Sequence, residues 1–306
     1  MKKRMIPLTV FLSASLLCLC ACGGSSSAKT DDTPEETAET VPEESVEPEE
    51  DFALAQPVDL TFGVRGMGER YYLYDGLVSP LAEKNVNIEM MGISDVHSLF
   101  SYDLFDGPDR LMAQYLFGID GFDTKFTPIA YTFVTKYNIC SASLTSLDEL
   151  KSGSEIAIPM EYTSGSPFAW RILEILEEAG LIKAKAKDQV QDNGPGLSKY
   201  IEENIKGVEF IDTIPSSDLR TNRSQFDAVL LNGSYDNVLL EDPTADNPDY
   251  WEAIYAHAEL LDDPEILKAL KMLVDAYHTE KSIKYIQMNL PGYEPAGWDV
   301  DLLAQY

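Results

Sequence analysis

The side chains best placed to do chemistry are an arginine inside a helix and an asparagine at the end of a strand. Arg171 lies one turn inside a predicted helix but off its apolar stripe, so its guanidinium is expected to reach back toward the preceding loop. A cation beside the unpaired N–H groups of a helix start is a place for a carboxylate. Asn232 ends an apolar strand, where its amide could either bond a ligand or cap the next segment.

Other candidate residues lie in loops or at the ends of predicted elements. Arg65 and Arg70 flank a glycine-rich turn, and they either face an anionic ligand or balance charge on an acidic surface. Tyr115 and Phe117 either enter a cleft or belong to the core. Tyr235 follows Asn232 in a segment that is expected to act as a hinge.

No arrangement typical of an enzyme is evident in the sequence. His97, His257 and His278 are far apart, so no metal-ligand cluster is predicted, and there is no Gly-x-Ser-x-Gly elbow or phosphate-binding loop. The Gly63–Gly68 turn lacks the glycine spacing of a dinucleotide site. We therefore expect no catalytic residues, no metal and no cofactor.

The N-terminus predicts an exported, lipid-modified protein. Lys2, Lys3 and Arg4 precede an apolar run that is too short to span a membrane comfortably, and the run ends in Leu-Cys-Ala-Cys. This pattern is typical of a bacterial lipobox, with residues 1–21 removed as a signal peptide. Cys22 would then carry a lipid such as palmitate on the extracytoplasmic face of the cell membrane.

Residues 22–56 are expected to form a disordered tether. Residues 31–51 contain eleven acidic and no basic residues, and the stretch has too little apolar surface to offset the entropy of ordering. The whole chain of 306 residues has a formal net charge of −29, which argues against a nucleic-acid partner. Membrane attachment would rest on the lipid alone. Cys140, the one cysteine beyond the predicted tether, is expected to be a buried, unreactive thiol.

Beyond the tether, apolar strands alternate with helices, which favours an α/β fold with parallel sheets and helices on both faces. Strands are expected at 155–159 and 226–232, and helices at 71–84, 109–117, 197–205, 215–221, 264–277 and 280–289. A helix from Pro167 would end at Gly180, which is suited to a left-handed C′ position. Two apolar strands that end in polar residues fit the rule that ligands bind at the carboxyl ends of strands.

Several of these segments together resemble the NlpA/MetQ family, the substrate-binding lipoproteins of methionine-type ABC importers. The resemblance covers most of 58–298, and it is carried by SLDEL (146–150), IAIP (156–159), AGLI (179–182), DAVLLNGSY (227–235) and GYEPAGW (292–298). It implies a two-lobed periplasmic-binding-protein (type II) fold with a ligand cleft between the lobes. Lobe 1 would comprise residues 57–140 and 237–306, and lobe 2 would comprise residues 141–236.

The resemblance also implies roles for particular residues. Arg171 would bind the ligand carboxylate, Asn232 would bond its polar groups, and Tyr115 and Phe117 would surround its side chain. The loops that choose the side chain depart from the family pattern, most clearly at Met160–Ser166, which is longer here. The ligand is therefore expected to be methionine, another amino acid, a short peptide or another small anion.

The function implied is that of a non-enzymatic receptor that delivers its ligand to an ABC permease and its ATPase. Two alternatives are an extracytoplasmic enzyme on the same fold and a surface interaction protein that has lost transport. Turnover of a bound ligand would indicate the enzyme, and absence of neighbouring permease and ATPase genes would favour the interaction protein.

Overall fold

The computed structural model describes residues 53–65, 68–93, 109–115, 125–163, 167–190 and 196–306. Within these ranges the strands form a six-stranded sheet, a five-stranded sheet and a two-stranded ribbon. The predicted signal peptide, Cys22 and almost all of the predicted tether lie outside them.

The first sheet has the strand order β13-β4-β12-β3-β1-β2 and combines parallel with antiparallel pairs. Strand β1 pairs in parallel with β2 and β3, whereas β12 runs antiparallel to β3 and β4. Its strands are β1 (Val58–Arg65), β2 (Val86–Ile93), β3 (Arg110–Tyr115), β4 (Phe126–Thr135), β12 (Trp251–His257) and β13 (Tyr293–Pro295).

The second sheet has the order β11-β5-β10-β6-β9, and its centre is apolar on both faces. Every residue of β10 is buried, as predicted for a strand of this kind. Its strands are β5 (Tyr137–Ser141), β6 (Glu155–Pro159), β9 (Glu209–Ile214), β10 (Ala228–Asn232) and β11 (Asn237–Leu240), and the separate ribbon pairs β7 (Ile182–Ala184) with β8 (Ile201–Asn204).

Helices cover both sheets. In the second sheet, successive side chains pack on opposite faces: Ile156 joins a cluster with Ile172, whereas its neighbour Ala157 joins one with Leu219. The helices are α1 (Glu69–Asp75), α2 (Val78–Ala82), α3 (Pro167–Glu178), α4 (Ser216–Asn222), α5 (Pro264–Tyr277) and α6 (Glu280–Asn289). The long helix α3 stops where Gly180 adopts a φ of +66°, which lets the Leu181 amide donate to the Leu176 carbonyl at 3.0 Å. This is the termination that the sequence predicts.

The chain passes between the two sheets at two places. Lys136 alone separates β4 from β5, and residues 241–250 separate β11 from β12. At the first crossing, the Lys136 amide donates to the Gly292 carbonyl at 2.7 Å, and the Lys136 carbonyl accepts from Gly233 at 3.0 Å. The lobe limits drawn from the sequence stay a prediction.

Some predicted elements differ from those observed. The predicted helix at 109–117 is wrong, because Arg110–Tyr115 is the strand β3 between β1 and β12. The predicted helix at 197–205 is also wrong: a 3₁₀ turn at Leu197–Tyr200 leads into β8, which pairs with β7. In both segments, partners that are distant in the sequence decide the conformation of a short run whose local preference is weak. The prediction of parallel sheets is only partly right, because β12 runs antiparallel to β3 and β4, and β5 runs antiparallel to β10 and β11.

Candidate ligand-binding cleft

A cavity of about 560 Å³ opens where the carboxyl ends of β1 and β10 approach each other. It therefore takes residues from both sheets and from the turn that follows α6. Its lining contains Arg65, Gly68, Glu69, Arg70, Arg220, Asn232, Tyr235, Asn289, Leu290, Pro291 and Tyr293. A volume of this size suits a small solute.

On the second-sheet side, Arg220 and Asn232 form the polar wall of the cavity. Arg220 lies near the end of α4, and its Nη2 donates to Oδ1 of Asn232. Its Nε is buried and has no hydrogen-bond partner in the described ranges. Asn232 is only 9% exposed, and its Nδ2 reaches the Pro291 carbonyl at a long 3.4 Å. Both side chains thus keep donor capacity for a ligand.

On the first-sheet side, the cavity is lined by Arg65 and Arg70. Arg65 ends β1 and is exposed. Arg70 pairs with Glu252, whose side chain is fully buried in β12, and its guanidinium lies 5.5 Å from the centre of the Phe133 ring. Because Glu252 neutralises Arg70, Arg65 is the cation of this wall that has no ion pair among the described residues.

Arg171 lies elsewhere, in a fully buried position beside the second crossing. Its Nε donates to Thr244 Oγ1 at 2.9 Å, and its Nη2 donates to the Thr135 carbonyl at 2.9 Å and to Asp242 Oδ2 at 2.6 Å. The guanidinium carbon lies 5.0 Å from the Tyr137 ring centre and 4.8 Å from that of Tyr250. Helix α3 is thereby tied to both crossings.

Asp242 is held as firmly as its partner. Oδ1 accepts from the Thr244 amide at 2.9 Å and from the Thr244 hydroxyl at 2.6 Å, and Oδ2 also accepts from the Tyr137 amide at 2.9 Å. Its own amide donates to Asn138 Oδ1 at 3.0 Å. Asp242 is therefore a buried anion of the chain itself that forms an ion pair with Arg171.

A row of aromatic side chains lies between Arg171 and Asn232. Tyr137 contacts Tyr162 with ring centres 5.0 Å apart, and Tyr162 stacks against Phe168 at 6.3 Å. The Tyr162 hydroxyl approaches Asn232 Oδ1 at 3.5 Å. Because Tyr162 belongs to the lengthened segment after β6, the departure from the family pattern supplies part of this row.

The structure brings together three of the six residues that the sequence nominates for ligand binding. Arg65, Asn232 and Tyr235 line the same cavity, whereas Arg171 is absent from its lining. Tyr115 ends β3 opposite Glu252, and Phe117 lies outside the described residues, as does Cys22. The ligand role of each of these residues stays a prediction.

Two residues that sequence reasoning missed are central to the geometry. Arg220 lies on a short helix without a distinguishing motif, and Asp242 lies in an acidic stretch that gives no hint of a buried partner. The nearest signal in the sequence is the apolar Leu219 beside Arg220, which the structure shows to be buried and which indicates a covered helix face but no function.

Three further properties of the described residues bear on function: thiol reactivity, metal binding and membrane insertion. Cys140 is a free, buried thiol as predicted, and burial raises its pKa. No group of three His, Cys, Asp or Glu side chains in the described ranges could hold a metal ion. Nor does any helix in these ranges combine the length and apolarity needed to cross a membrane.

Comparison with known families decides the assignment. The profile of the NlpA lipoprotein family matches residues 119–298, which is more than half of the chain. The chain belongs to the NlpA lipoprotein family.

A curated relative of this NlpA lipoprotein is the D-methionine-binding lipoprotein MetQ of Salmonella typhimurium (strain LT2). The two are 26% identical over 181 residues, which is 57% of this chain and 63% of the relative. The chain thus spans less than two thirds of the length of the curated relative that it matches.

Solved structures show the same fold. Lipoprotein Tp32 from Treponema pallidum is similar with a TM-score of 0.55 and 17% identity, over 78% of this chain and 99% of that one. A periplasmic substrate-binding protein of an ABC transporter from Coxiella burnetii gives 0.54 and 21%, over 78% and 100%. A nutrient-binding protein from Burkholderia cenocepacia, solved with methionine, gives 0.53 and 18%, over 77% and 99%. The NlpA chain therefore has the two-lobed α/β fold of periplasmic substrate-binding proteins, as the sequence predicts.

Proposed function

We propose that this NlpA lipoprotein captures a small solute with a carboxylate and delivers it to an ABC permease and its ATPase. The solute would be methionine, another amino acid or a short peptide. The observation that carries the proposal is the cavity of about 560 Å³, which is lined by Arg65 of the first sheet together with Arg220 and Asn232 from the side of the second. Cationic and amide donors on two walls suit a ligand that is gripped from both sides.

The names of the relatives support this choice of ligand class. MetQ of Salmonella typhimurium is named for D-methionine, and the Burkholderia cenocepacia protein was solved with methionine. Methionine itself is one candidate among several here, because the segment after β6 is longer than the family pattern and places Tyr162 beside Asn232.

Two narrow crossings offer a mechanism for capture. The backbone passes between the sheets at Lys136 and at 241–250, so a small rotation there would open or close the cavity. Closure would bury the ligand and present a changed surface to the permease. No covalent step is required, and the proposal is that of a receptor and not of an enzyme.

The proposed location follows from the N-terminal pattern and the family. Cys22 would carry the lipid, and the acidic segment to residue 56 would hold the folded part away from the membrane on its extracytoplasmic face. The match to the NlpA lipoprotein family supports this proposal.

Titration calorimetry tests the binding half of the proposal. The full chain in detergent is titrated with the twenty L-amino acids, D-methionine and di- and tripeptides, and each binder is checked for a rise in melting temperature. We expect one compound or a narrow group to bind, and Asn232→Ala to weaken it by about tenfold or more, as for the loss of a hydrogen bond to a charged group. Absence of both heat and thermal shift with every compound would reject the proposal.

Uptake measurements test the delivery half. Cells that carry or lack the gene are given the radiolabelled compound identified by calorimetry. Slower uptake in the deletion strain is expected, with recovery when the gene is restored. Equal uptake in both strains, or chemical conversion of the bound compound by the purified chain, would contradict the role of a transport receptor.

A further inference from the structure

The turn between β10 and β11 brings an aromatic side chain to the wall of the cavity. Tyr235 lies in this turn and lines the cavity. Its half-buried ring also packs against the cluster that contains Cys140, Leu219 and Leu231. The position of the ring therefore depends on how firmly the turn is held.

Arg223, which directly follows α4, holds this turn with a forked contact. Its Nε donates to Asp236 Oδ2 at 2.6 Å, and its Nη2 donates to Asp236 Oδ1 at 3.4 Å. Its Nη1 donates to the Arg220 carbonyl at 2.7 Å, so the guanidinium is also fixed to its own helix. The guanidinium carbon lies 5.5 Å from the centre of the Tyr235 ring. A planar guanidinium that is bound in this way restricts both the carboxylate and the ring on which it stacks.

The backbone of the turn is strained at the residue that Arg223 binds. Asp236 has a φ of +55°, and it is one of two non-glycine residues with a positive φ in the described ranges. The other, Asn85, is held by its own side chain, which donates to the Leu54 carbonyl at 2.7 Å. Such conformations persist where the surroundings hold them, and they are frequent at ligand sites. At Asp236 the ion pair with Arg223 supplies this restraint.

The start of the turn is fastened separately, at the first crossing. The Gly233 amide donates to the Lys136 carbonyl at 3.0 Å, and Asn138 Nδ2 donates to the Gly233 carbonyl and to Ser234 Oγ, both at 3.1 Å. A Cβ at Gly233 would lie 3.6 Å from Cε2 of Tyr235, so the ring borders this crossing. The turn is thus held at both ends, by the crossing and by Arg223.

The ion pair is too exposed to serve mainly the stability of the fold. The side chains of Arg223 and Asp236 are each 32% exposed, and pairs at such positions add little to the free energy of unfolding. An effect on ligand binding is expected instead. A ring that is already ordered loses less conformational entropy when a ligand packs against it than a mobile ring would.

Deepening the proposed function, on which this inference rests, we propose that Arg223 and Asp236 are positioning residues for the ligand. They hold the Tyr235 ring on the wall of the cavity, where it contacts the bound solute. The pair itself does not touch the solute, because neither residue is part of the cavity lining. Its contribution to affinity is therefore made through Tyr235.

Calorimetry on the full chain in detergent tests this contribution. The twenty L-amino acids and D-methionine are titrated first, and the compound that binds the wild-type chain most tightly is the probe for every variant. The pair is broken in Arg223→Gln and in Asp236→Asn, and its charge is kept in Arg223→Lys. The ring is removed in Tyr235→Ala, alone and combined with Arg223→Gln. The matched control is Lys268→Gln, which breaks an exposed ion pair with Glu265 on α5, away from the cavity lining.

Arg223→Gln and Asp236→Asn should each weaken binding of the probe by about three- to tenfold, the range expected when an ordered side chain becomes mobile. Arg223→Lys should lose less, because a cation stays beside the ring. Tyr235→Ala should weaken binding at least as much as Arg223→Gln. Adding Arg223→Gln to Tyr235→Ala should then change the affinity by less than about twofold, since the ring that the pair positions is gone.

Melting temperatures separate this role from a purely structural one. Arg223→Gln and the control Lys268→Gln should both melt within about 3 °C of the wild-type chain, because both break exposed pairs. The control should bind the probe as the wild-type chain does. Lower affinity of Arg223→Gln at an unchanged melting temperature would support the positioning role.

Three results would overturn the inference while the proposed function survives. One is an unchanged affinity in Arg223→Gln and Asp236→Asn, which would make the pair a surface contact only. Another is an unchanged affinity in Tyr235→Ala, which would show that the ring does not contact the solute. The third is a loss from Arg223→Gln that is equally large with and without the ring. If no probe binds the wild-type chain, the inference and the proposed function are both rejected.

Discussion

Arg171 Nη2 and Asp242 Oδ2 lie 2.6 Å apart, and both side chains are completely shielded from solvent. The pair joins α3 to the segment that crosses between the sheets, and the Thr135 carbonyl at the other crossing binds the same nitrogen. A buried pair of this kind gains its stability from good geometry and from further hydrogen bonds. Here Thr135, Thr244 and Tyr137 supply such bonds, whereas Nη1 of Arg171 has no partner in the described ranges. The pair therefore ties both crossings to α3.

Removing one member of this pair should be strongly destabilising. Asp242→Asn leaves the guanidinium of Arg171 buried without its anion, and Arg171→Met leaves Asp242 without its cation. Each change is expected to lower the free energy of unfolding by about 3–5 kcal/mol, because an uncompensated charge stays in the interior. Urea unfolding followed by circular dichroism measures the loss.

The double variant and a surface pair provide the controls. Arg171→Met combined with Asp242→Asn should cost much less than the sum of the single changes, because no lone charge remains. Arg223→Gln, which breaks a pair whose two side chains are each 32% exposed, should cost no more than about 1 kcal/mol. Additive losses at Arg171 and Asp242 would show that the two do not stabilise each other.

A close approach of two glycines is expected to limit substitution at the first crossing. Gly292 has a φ of +80°, and a Cβ there would lie 2.7 Å from the Gly233 Cα. Gly292→Ala should therefore lower stability through both backbone strain and a clash of the new Cβ with the backbone of Gly233. We expect a loss of about 2–4 kcal/mol by urea unfolding, together with weaker ligand binding, since the residues around Asn232 must shift.

Substitution of Gly153 separates the cost of backbone strain from the cost of the steric clash. Its φ is +83°, close to that of Gly292, but a Cβ there would have nothing within 4 Å. Gly153→Ala should therefore show the conformational cost alone, about 1 kcal/mol. The idea of a tight crossing would fail if Gly292→Ala were no more destabilising than Gly153→Ala.

The sequence was sufficient to predict the limits of helices that begin and end at recognisable capping residues. Helix α5 begins after Asp263, whose side chain caps the Glu265 amide at 2.9 Å, and it has Pro264 in its first turn, so its limits of 264–277 could be predicted. Strand β12 has no such residues at its ends and was not predicted, although it lies between β3 and β4 in the first sheet. Its position depends on partners more than a hundred residues away in the sequence.

The residues of the candidate site also differ in whether the sequence could predict their positions. The positions of both Asn232 and Arg65 in the cavity lining could be predicted, because Asn232 ends an apolar strand and Arg65 lies in the glycine-rich turn that follows another, and carboxyl ends of strands meet at a cleft. The partner of Arg171 could not be predicted, since the approach of Asp242 depends on how residues 241–250 fold back against α3. Arg220 was missed because a seven-residue helix with a single buried leucine gives no functional pattern.

The environment of His278 predicts a pH dependence of stability. Burial lowers its pKa from the ordinary value of 6.5, and its Nε2 donates to the Tyr131 carbonyl at 2.8 Å while the ring stacks on Trp298 at 4.8 Å. The unfolded state thus binds a proton more readily than the folded state. The free energy of unfolding should fall as pH is lowered through about 6.5 and level off below the folded pKa.

His278→Gln removes this titrating group. Its free energy of unfolding should be lower than that of the wild-type chain at pH 8, because ring stacking is lost, but should change less between pH 8 and 5.5. Urea titrations at several pH values measure both slopes. Identical slopes for the two proteins would show that His278 contributes nothing to the dependence.

A count of reactive thiols tests the proposed processing at the N-terminus. The chain has four cysteines, and Cys140 is the one that lies in the described ranges, where it is buried with a raised pKa. If the signal is removed and Cys22 is acylated, protein purified from membranes should show no rapid reaction with a thiol reagent when folded and one thiol per chain in urea. Cys140→Ala should then show none. Two thiols in urea would indicate cleavage before an unmodified Cys22, and four would indicate that the signal is retained, and either number would refute the lipid anchor.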